Sequence, residues 1–399
     1  MKTYDFVVIG AGSAGRTAVE TLVDRAPDRT VLLADAEDHL PYKRTQVSKN
    51  VVRDCTAEDF AIHGRDWYRD RGVDLRIGTP VESIDTVERT LQVGGETAAW
   101  DRLLFATGSR PRIPRVDAPE DRFSTLWTVD DTLTLRRRLE GRNTIRRVAV
   151  VGSGVLGVEA ASQLSLLGCE TVLIGRNSRP MRQYLDDGPY RFLEEALRNA
   201  GVGVVSDFTV DRIGVSADGR SLDILGPVHR ERADFVVLAT GSEPVIDGAR
   251  RAGLDTRRGI LVDGTLRTSA PGVWAAGDCA EHPGGRITGL WHAAEHQGRL
   301  AARSMAGDEI AFDDPPFRLK TDVFGGTWFS AGRIDGDESP EEWAAGGTTW
   351  WPRFRNDRII GLTGAAPEGM DKAAMKRAQA LLLDGADTRA CRGVLRFSN

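Results

Sequence analysis

One local pattern occurs twice in this chain and limits the folds that it can adopt. The segment YDFVVIGAGSAGRTAVETLV, which begins at Tyr4, contains an apolar run, a glycine-rich turn and apolar residues at helical spacing, and TVLLAD follows at 30–35. The same order returns about 140 residues later in VAVVGSGVLGVEAASQLSLLG and ETVLIGR. A buried strand, a tight glycine turn and a helix in this order are typical of a dinucleotide-binding βαβ unit. The sequence therefore predicts an α/β fold with a duplicated nucleotide-binding design.

The three glycines of each turn have separate predicted roles. The first permits the tight bend, the second lets a diphosphate approach the backbone, and the third allows the helix to pack closely on the strand. They are Gly10, Gly12 and Gly15 in the first turn, and Gly152, Gly154 and Gly157 in the second. Because a helix N-terminus has free N–H groups and a positive dipole end, we expect each helix to face a diphosphate.

Composition narrows the class of protein further. A chain of 399 residues with 41% hydrophobic and 28% charged residues is long enough for two or three globular domains. A net charge of -5 disfavours general nucleic-acid binding. No apolar run approaches the roughly 18 residues of a membrane-spanning helix, and the first predicted strand begins by Tyr4, which leaves no room for a signal peptide. We therefore predict a cytoplasmic protein without a membrane or nucleic-acid partner.

The cysteines are widely separated. They are Cys55, Cys169, Cys279 and Cys391, and no C-x-x-C pair occurs among them. This spacing disfavours a disulfide framework, an iron–sulfur site and a vicinal redox pair. We interpret them as structural or incidental thiols.

Two further segments are duplicated. LLFATGSRPRIP at 103–114 and VVLATGSEPVID at 236–247 each predict a strand and a turn, and we interpret each as closing one nucleotide-binding domain, with Thr107, Gly108 and Gly241 in the turns. GVWAAGDCAEH at 272–282 is an apolar strand that ends in Gly277 and Asp278. The Asp278 carboxylate could accept a hydrogen bond from a cofactor hydroxyl, although an aspartate at a strand end is also a common turn former.

These motifs together carry a family resemblance. GAGSAG, PYKRTQVSK, ATGSRP, GSGVLGVE, ATGSEP and AAGDCA occur in the order seen in flavin-dependent pyridine-nucleotide oxidoreductases, and the chain most resembles their ferredoxin and rubredoxin reductase branch. The resemblance spans about residues 4–310 and weakens beyond them. It implies two Rossmann-like domains and a small C-terminal α+β domain. The FAD-binding domain would comprise 1–113 and 246–312, the NAD(P)H-binding domain 114–245, and the C-terminal domain 313–399.

The two strand tips differ in charge. In an FAD site of this family the acid that ends the second strand holds the adenosine ribose, and Asp35 lies 20 residues after Gly15, as that role requires. Aligning TVLLAD on TVLIGR places Arg176 where Asp35 stands, with Arg179 and Arg182 close enough in sequence to join it. A guanidinium can bind the 2′-phosphate that a carboxylate would repel. We therefore expect NADPH as the donor, with NADH possible, and exposed surface arginines are the alternative interpretation.

The stretch PYKRTQVSK resembles the family signature Y-x-R-P-x-L-S-K, without its proline. The resemblance implies that Arg44 lies along the flavin and that Lys49 pairs with Glu159 beside the reactive edge, joining the two nucleotide-binding domains. A positive charge there would stabilise the electron density that arrives with hydride. Two unrelated surface charges are the alternative.

The last candidates lie on a helix and in the C-terminal region. HAAEH at 292–296 matches the zinc-peptidase pattern H-x-x-E-H, but its context resembles the family helix whose N-terminus points at the flavin, with Trp291 near the ring. We therefore expect no metal; an ordinary amphipathic helix is the remaining alternative. Lys320 and Thr321 resemble a K-T pair that rubredoxin-type reductases place near the flavin.

The resemblance implies a specific activity. Hydride would pass from NAD(P)H to FAD, and electrons would then pass to a small iron–sulfur or rubredoxin-like carrier protein. Residues 39–49 contain no cysteine, so we expect electrons to leave the flavin without a thiol relay. The alternatives are a reductase of quinone, dioxygen or another small acceptor, and an FAD-bound redox-sensing interaction protein. The expected assembly is a monomer or a homodimer.

Overall fold

The computed structural model describes residues 1–140, 145–313, 315–334 and 341–395. The chain divides into two compact units. The first comprises Met1–Gln46, Cys55–Arg110 and Ser242–Asp313, and the second comprises Val47–Asp54, Pro111–Gly241 and the described residues of 314–399. The predicted division into three domains (1–113 with 246–312, 114–245 and 313–399) remains a prediction.

The strands are numbered in chain order. The first thirteen are β1 (Lys2–Ile9), β2 (Val31–Ala34), β3 (Val73–Arg76), β4 (Val81–Asp85), β5 (Thr90–Val93), β6 (Glu96–Phe105), β7 (Ser109–Pro111), β8 (Arg115–Asp117), β9 (Phe123–Thr125), β10 (Arg147–Val151), β11 (Glu170–Ile174), β12 (Gly203–Val205) and β13 (Arg212–Val215). The others are β14 (Leu222–Leu225), β15 (Arg230–Ala233), β16 (Phe235–Leu238), β17 (Ser242–Pro244), β18 (Ile260–Leu261), β19 (Val273–Ala275), β20 (Ala280–Glu281), β21 (Arg318–Val323), β22 (Gly326–Gly332), β23 (Trp343–Ala345), β24 (Thr348–Arg355) and β25 (Arg358–Ala366).

The helices are numbered in the same way. They are α1 (Ser13–Arg25), α2 (Arg65–Arg69), α3 (Val129–Glu140), α4 (Val155–Leu166), α5 (Asp187–Asn199), α6 (Asp247–Arg251), α7 (Trp291–Ala306), α8 (Lys372–Leu383) and α9 (Thr388–Leu395). Short 3₁₀ helices occupy Arg44–Lys49, Glu58–Phe60 and Glu120–Arg122. Within the described residues, no helix is both long enough and apolar enough to cross a membrane.

The first unit is built on a seven-stranded sheet. Its order is β3-β2-β1-β6-β5-β4, and β19 pairs with β6. The pairings of β1 with β2 and with β6 are parallel, so the carboxyl ends of these strands meet at one edge. Parallel central strands are covered on both faces, which explains the continuous apolar runs in their sequences. Helices α1 and α7 pack against each other over one common core.

The second unit contains the second copy of this design. A parallel sheet has the order β12-β11-β10-β16-β9, and a neighbouring sheet has the order β15-β14-β13-β8. Buried residues of β10, β11 and β16 share a core with residues of β13 and β14. An antiparallel sheet of order β21-β22-β25-β24-β23 follows, and its apolar residues pack with α8 and α9.

Helix α5 packs on this C-terminal sheet. Arg353 of β24 lies 2.8 Å from the carboxylate of Asp186, which precedes α5, and both side chains are nearly buried. The indole Nε1 of Trp328 donates to the carbonyl of Pro189 at 3.2 Å. Gly188 has no room for a Cβ because the Trp351 indole lies against it. These contacts explain why the C-terminal sheet and the second nucleotide-binding region form one compact unit.

Candidate functional site

Both glycine turns adopt the same strained backbone conformation. The φ angle is +99° at Gly10 and +115° at Gly152, in the left-handed region that favours glycine. A Cβ at either position would also lie within 3.0 Å of a backbone carbonyl oxygen, that of Ala106 or that of Ala239. Only glycine can therefore occupy the first position of each turn.

The other glycines of each turn differ in what surrounds them. A Cβ on Gly15 or Gly157 would lie within 3.0 Å of the carbonyl oxygen of the first glycine of its turn, so these two residues allow the helix to pack on the turn. A Cβ on Gly12 or Gly154 would meet no described atom within 4 Å. The middle glycines therefore border open space, as the approach of a diphosphate requires.

The helices that begin at these turns have open N-termini. Gly12 is the N-cap of α1 and Gly154 is the N-cap of α4, and within the described residues neither helix start has a side-chain capping hydrogen bond. No acidic side chain lies in the first turn of either helix. Backbone N–H groups at such a start need acceptors, and a diphosphate can supply them. The two turns fit the two dinucleotides that the sequence predicts.

Asp35 lies at the tip of the strand next to the first turn. Its carboxylate accepts hydrogen bonds from the backbone N–H of Ala11 and, at 2.8 Å, from that of Glu37. Burial raises the pKa of Asp35, and the two backbone hydrogen bonds oppose this shift. The carboxylate is thus held beside the middle of the glycine turn, where the ribose role requires an acceptor. Arg44 lies in the same unit and pairs with Glu37 at 2.6 Å.

The second strand tip requires a correction to the sequence alignment. Ile9 pairs with Ala34 across β1 and β2, and Val151 pairs with Ile174 across β10 and β11. Because these residues directly precede the tips, the counterpart of Asp35 is Gly175, and Arg176 is one residue further on. The alignment was wrong by one position because it matched the letters TVL of the two segments, whereas strand pairing decides which residue stands at the tip.

The three arginines after β11 are not equivalent. Arg179 contacts Asp187, donates to the carbonyl of Leu185 at 3.2 Å and lies over the ring of Tyr190. Arg176 and Arg182 are exposed, and within the described chain neither forms an ion pair or a hydrogen bond. Two guanidinium groups therefore remain available to an anion after β11.

Glu159 is the centre of a buried polar cluster in the second unit. It lies on α4 and is 7% exposed, and its Oε1 is 3.6 Å from Nζ of Lys49. The hydroxyl of Thr321 donates to the same oxygen at 2.6 Å, and the hydroxyl of Ser48 donates to Oε2. The structure thus brings Lys49 and Glu159 together. Both belong to the second compact unit, so the pair lies within one unit instead of joining the two, which differs from what the resemblance implies.

Sequence reasoning missed the two hydroxyls of this cluster. Ser48 directly precedes Lys49 and Thr321 directly follows Lys320, so each is adjacent to a predicted residue. Lys320 itself contacts Asp322, and in the described residues it forms no ion pair with Glu159. Burial alone would raise the pKa of Asp322, but the hydrogen bonds from Lys320 and Thr327 and the charge of Lys49 lower it overall. Thr321, rather than Lys320, connects β21 to the cluster.

Asp278 is held in the first unit, after β19. It accepts a hydrogen bond from the hydroxyl of Ser109 at 2.8 Å, and burial raises its pKa against that hydrogen bond and the charge of Arg44. The Thr107 hydroxyl donates to the carbonyl of Val245 at 2.6 Å. The backbone N–H of Val245 donates to the carbonyl of Gly108 at 2.9 Å. Sequence reasoning missed Ser109, although the serine belongs to the ATGSRP motif.

Helix α7 begins at Trp291 and packs tightly against the start of α1. A Cβ on Gly298 would lie within 3.0 Å of the carbonyl oxygen of Ala14, and Oε1 of Gln297 accepts from the N–H of Gly277 at 2.7 Å. Within the described chain, the buried Nε1 of Trp291 has no hydrogen-bond partner. Lys43 Nζ lies 4.6 Å from the centroid of the Trp291 ring. The indole N–H is therefore a donor that a ligand could satisfy.

The sequence matches the model of one protein family over most of its length. The model of the family named pyridine nucleotide-disulphide oxidoreductase matches residues 4–298. The chain belongs to this family. Membership confirms the predicted resemblance, the oxidoreductase class, and FAD with a nicotinamide dinucleotide as cofactors.

Two relatives and one solved structure are similar to this chain over most of its length. The ferredoxin–NAD(+) reductase component of the anthranilate 1,2-dioxygenase system of Burkholderia cepacia is 32% identical over 329 residues, which cover 79% of each chain. The assimilatory nitrate reductase electron transfer subunit of Bacillus subtilis is 30% identical over 353 residues, which cover 85% of this chain and 44% of that protein. A ferredoxin reductase from Rhodopseudomonas palustris superposes with a TM-score of 0.87 at 24% identity, over 99% of this chain and 98% of that one. The predicted α/β fold class is confirmed.

The last features predicted from the sequence are Gly241 and the HAAEH segment. Gly241 has a φ of +92°, and its carbonyl accepts from the N–H of Arg112 at 2.9 Å. In HAAEH, His292 lies 3.6 Å from Glu295, whereas His296 pairs with Asp313. Over the residues that the structure describes, no three His, Cys, Asp or Glu side chains are grouped to hold a metal ion.

Proposed function

We propose that this chain is an FAD-dependent NAD(P)H reductase that passes electrons to a small iron–sulfur or rubredoxin-like carrier protein. The observation that carries the proposal is the duplicated glycine turn, with a helix N-terminus open to a diphosphate in each compact unit. One turn suits a resident FAD and the other suits a nicotinamide dinucleotide that exchanges. The relatives from Burkholderia cepacia and Rhodopseudomonas palustris are named as ferredoxin reductases, which supports the carrier class.

The residues of the first unit would hold FAD. We propose that the N-terminus of α1 at Gly12 binds the diphosphate and that Asp35 accepts from the adenosine ribose. Asp278 would accept from a cofactor hydroxyl, and Trp291 would contact the flavin ring. Bound FAD supplies the conversion between two-electron hydride chemistry and one-electron transfer.

The residues of the second unit would bind the donor and assist hydride transfer. Gly154 would admit the diphosphate of the nicotinamide dinucleotide to the N-terminus of α4. Lys49 is the proposed catalytic cation, since an ammonium stabilises negative charge that develops during hydride transfer. Glu159 would hold Lys49 in place, and the hydroxyls of Ser48 and Thr321 hold the Glu159 carboxylate.

We propose NADPH as the preferred donor. Gly175 removes the acid that would repel a 2′-phosphate, and the exposed side chains of Arg176 and Arg182 can pair with it. The Burkholderia cepacia relative is named as an NAD(+) reductase, so a measured preference of this chain for NADH would contradict this part of the proposal alone.

We also propose a cytoplasmic location. All four cysteines lie within the described chain, and none of them forms a disulfide there. Free thiols without disulfides are usual in reducing compartments. Cell fractionation with an antibody against the chain tests the location, and recovery from an oxidising compartment would contradict it.

The test of the function uses the purified protein with its bound cofactor. We expect stoichiometric FAD, anaerobic bleaching of the flavin absorbance by NADPH, and reoxidation by a ferredoxin or a rubredoxin faster than by menadione or dioxygen. Protein that neither contains nor takes up FAD would overturn the proposal. Rapid turnover with menadione or dioxygen and none with either carrier would replace the carrier protein by a small acceptor. Slow turnover with every acceptor, together with a change in assembly on reduction, would favour a redox sensor.

A further inference from the structure

Gly175 lies against the side chain of Ser153. A Cβ added to Gly175 would lie within 3.0 Å of Oγ of Ser153 and 2.6 Å from its Cβ. Both separations are shorter than Cβ atoms tolerate without movement of a neighbour. Ser153 is 7% exposed and follows Gly152 in the glycine turn, so its position is constrained by the turn itself. A side chain at position 175 therefore requires Ser153 or the adjacent backbone to move.

The first unit shows what the same place holds when the serine is absent. In the first turn, Ala11 is the counterpart of Ser153, and Asp35 is the counterpart of Gly175. The Asp35 carboxylate folds back onto the N–H of Ala11. The space beside the turn thus contains an acid in the first unit and the Ser153 side chain in the second.

Ser153 also connects the turn to the segment that carries the arginines. Its carbonyl oxygen accepts a hydrogen bond from the N–H of Met181 at 2.8 Å, and Met181 has a φ of +53°. Arg182 is the next residue. Ser153 therefore has two contacts: its side chain lies where a side chain at position 175 would be, and its carbonyl holds the backbone next to Arg182.

We propose that Ser153 determines the dinucleotide specificity of the second site. An acid at position 175 would bind the ribose hydroxyls of NADH and repel the 2′-phosphate of NADPH, and Ser153 prevents this position from carrying one. The charges of Arg176 and Arg182 then remain unopposed by a neighbouring carboxylate. The inference rests on the proposed role of the second turn as the NAD(P)H site.

The test compares variants at positions 153 and 175. Equilibrium binding of NAD⁺ and NADP⁺ to the FAD-containing protein is measured by titration calorimetry for wild type, Gly175→Asp, Ser153→Gly/Gly175→Asp and Ser153→Ala/Gly175→Asp. We expect Gly175→Asp alone to weaken NADP⁺ binding without improving NAD⁺ binding. The double variant with Ser153→Gly should bind NAD⁺ about tenfold tighter than Gly175→Asp, because a charge-assisted hydrogen bond becomes possible. Ser153→Ala should give an intermediate result, since its Cβ remains.

A second measurement isolates the steric part and does not depend on the aspartate variant folding. Gly175→Ala should lower the midpoint of thermal unfolding in the wild-type background and much less in the Ser153→Gly background. Gly203→Ala is the matched control, because a Cβ on this strand residue would meet its nearest neighbour at an ordinary 3.7 Å. We expect that control to shift the midpoint little in either background.

The outcomes separate this inference from the proposed function. If Gly175→Asp gains NAD⁺ affinity as fully as the Ser153→Gly double variant, or if Gly175→Ala is equally costly in both backgrounds, Ser153 does not determine specificity. The proposed function would then still stand, provided that wild type binds a nicotinamide dinucleotide. Wild-type protein that binds neither NAD⁺ nor NADP⁺ would overturn the proposed function itself.

Discussion

The hydroxyl of Thr321 provides a quantitative test of the buried Glu159 cluster. Its Oγ1 donates to Oε1 of Glu159 at 2.6 Å, and Thr321 has no exposed surface. Thr321→Val replaces the hydroxyl by a methyl group of similar size, so the main change is the loss of one hydrogen bond. A hydrogen bond to a charged group contributes about 1.5 to 3 kcal/mol. Because the Glu159 carboxylate is buried, we expect the loss to lie in that range.

The assay is urea denaturation of the FAD-containing protein, with the difference in unfolding free energy taken from the shift in midpoint. Thr171→Val is the matched control: Thr171 is also buried on a strand, but its hydroxyl donates to the neutral carbonyl of Cys169 at 3.1 Å. A neutral hydrogen bond contributes about 0.5 to 1.5 kcal/mol. Thr321→Ser should retain most of the wild-type stability, because it keeps the hydroxyl.

The same variants test whether Thr321 acts through Lys49. In stopped-flow experiments, Thr321→Val should slow flavin reduction by NADPH with little change in NADP⁺ affinity, and Thr321→Ser should restore the rate. The reasoning is refuted if Thr321→Val is no less stable than Thr171→Val. A reduction rate equal to that of wild type would remove Thr321 from the positioning of Lys49.

Three further substitutions and one control test the separate sites. Arg176→Glu should raise the Michaelis constant for NADPH roughly tenfold or more, since one charge-assisted pairing contributes about 1.5 to 3 kcal/mol. The control Arg179→Ala should leave the preference for NADPH over NADH nearly unchanged, because Arg179 already pairs with Asp187. Steady-state kinetics with both nucleotides test both expectations. Asp278→Ala should weaken FAD retention by roughly 1 to 3 kcal/mol, measured as FAD released on dilution, and unchanged retention would contradict its role. Lys49→Gln should slow single-turnover flavin reduction at least about tenfold with nearly unchanged NADP⁺ binding, and an unchanged rate would remove Lys49 from the mechanism.

The fold class and the family were predictable because they depend on local patterns. Each strand, glycine turn and helix is contiguous in the sequence, and the required conformations at Gly10 and Gly152 exclude other residues. The duplication then made an α/β fold with two dinucleotide-binding units the simplest prediction, and the family match and the structural similarity confirm it. The roles of the individual site residues stay predictions that the experiments above address.

The partners within each cluster were less predictable because they are distant in sequence. Thr321 reaches Glu159 across 162 positions, and Ser109 reaches Asp278 across 169. No local periodicity reports such a contact. Their signal in the sequence was only adjacency to a motif, which does not identify the acceptor.

The sequence by itself determined the two glycine turns, the open helix starts and the charge contrast between Asp35 and the arginines after β11, because these depend on residues that are neighbours in the chain. Tertiary structure decided which residue is the counterpart of Asp35, since strand register is set by the pairing between strands. It also decided that Ser153 occupies the space beside Gly175. Steric exclusion between two residues 22 positions apart exists only once the turn and the strand are packed together.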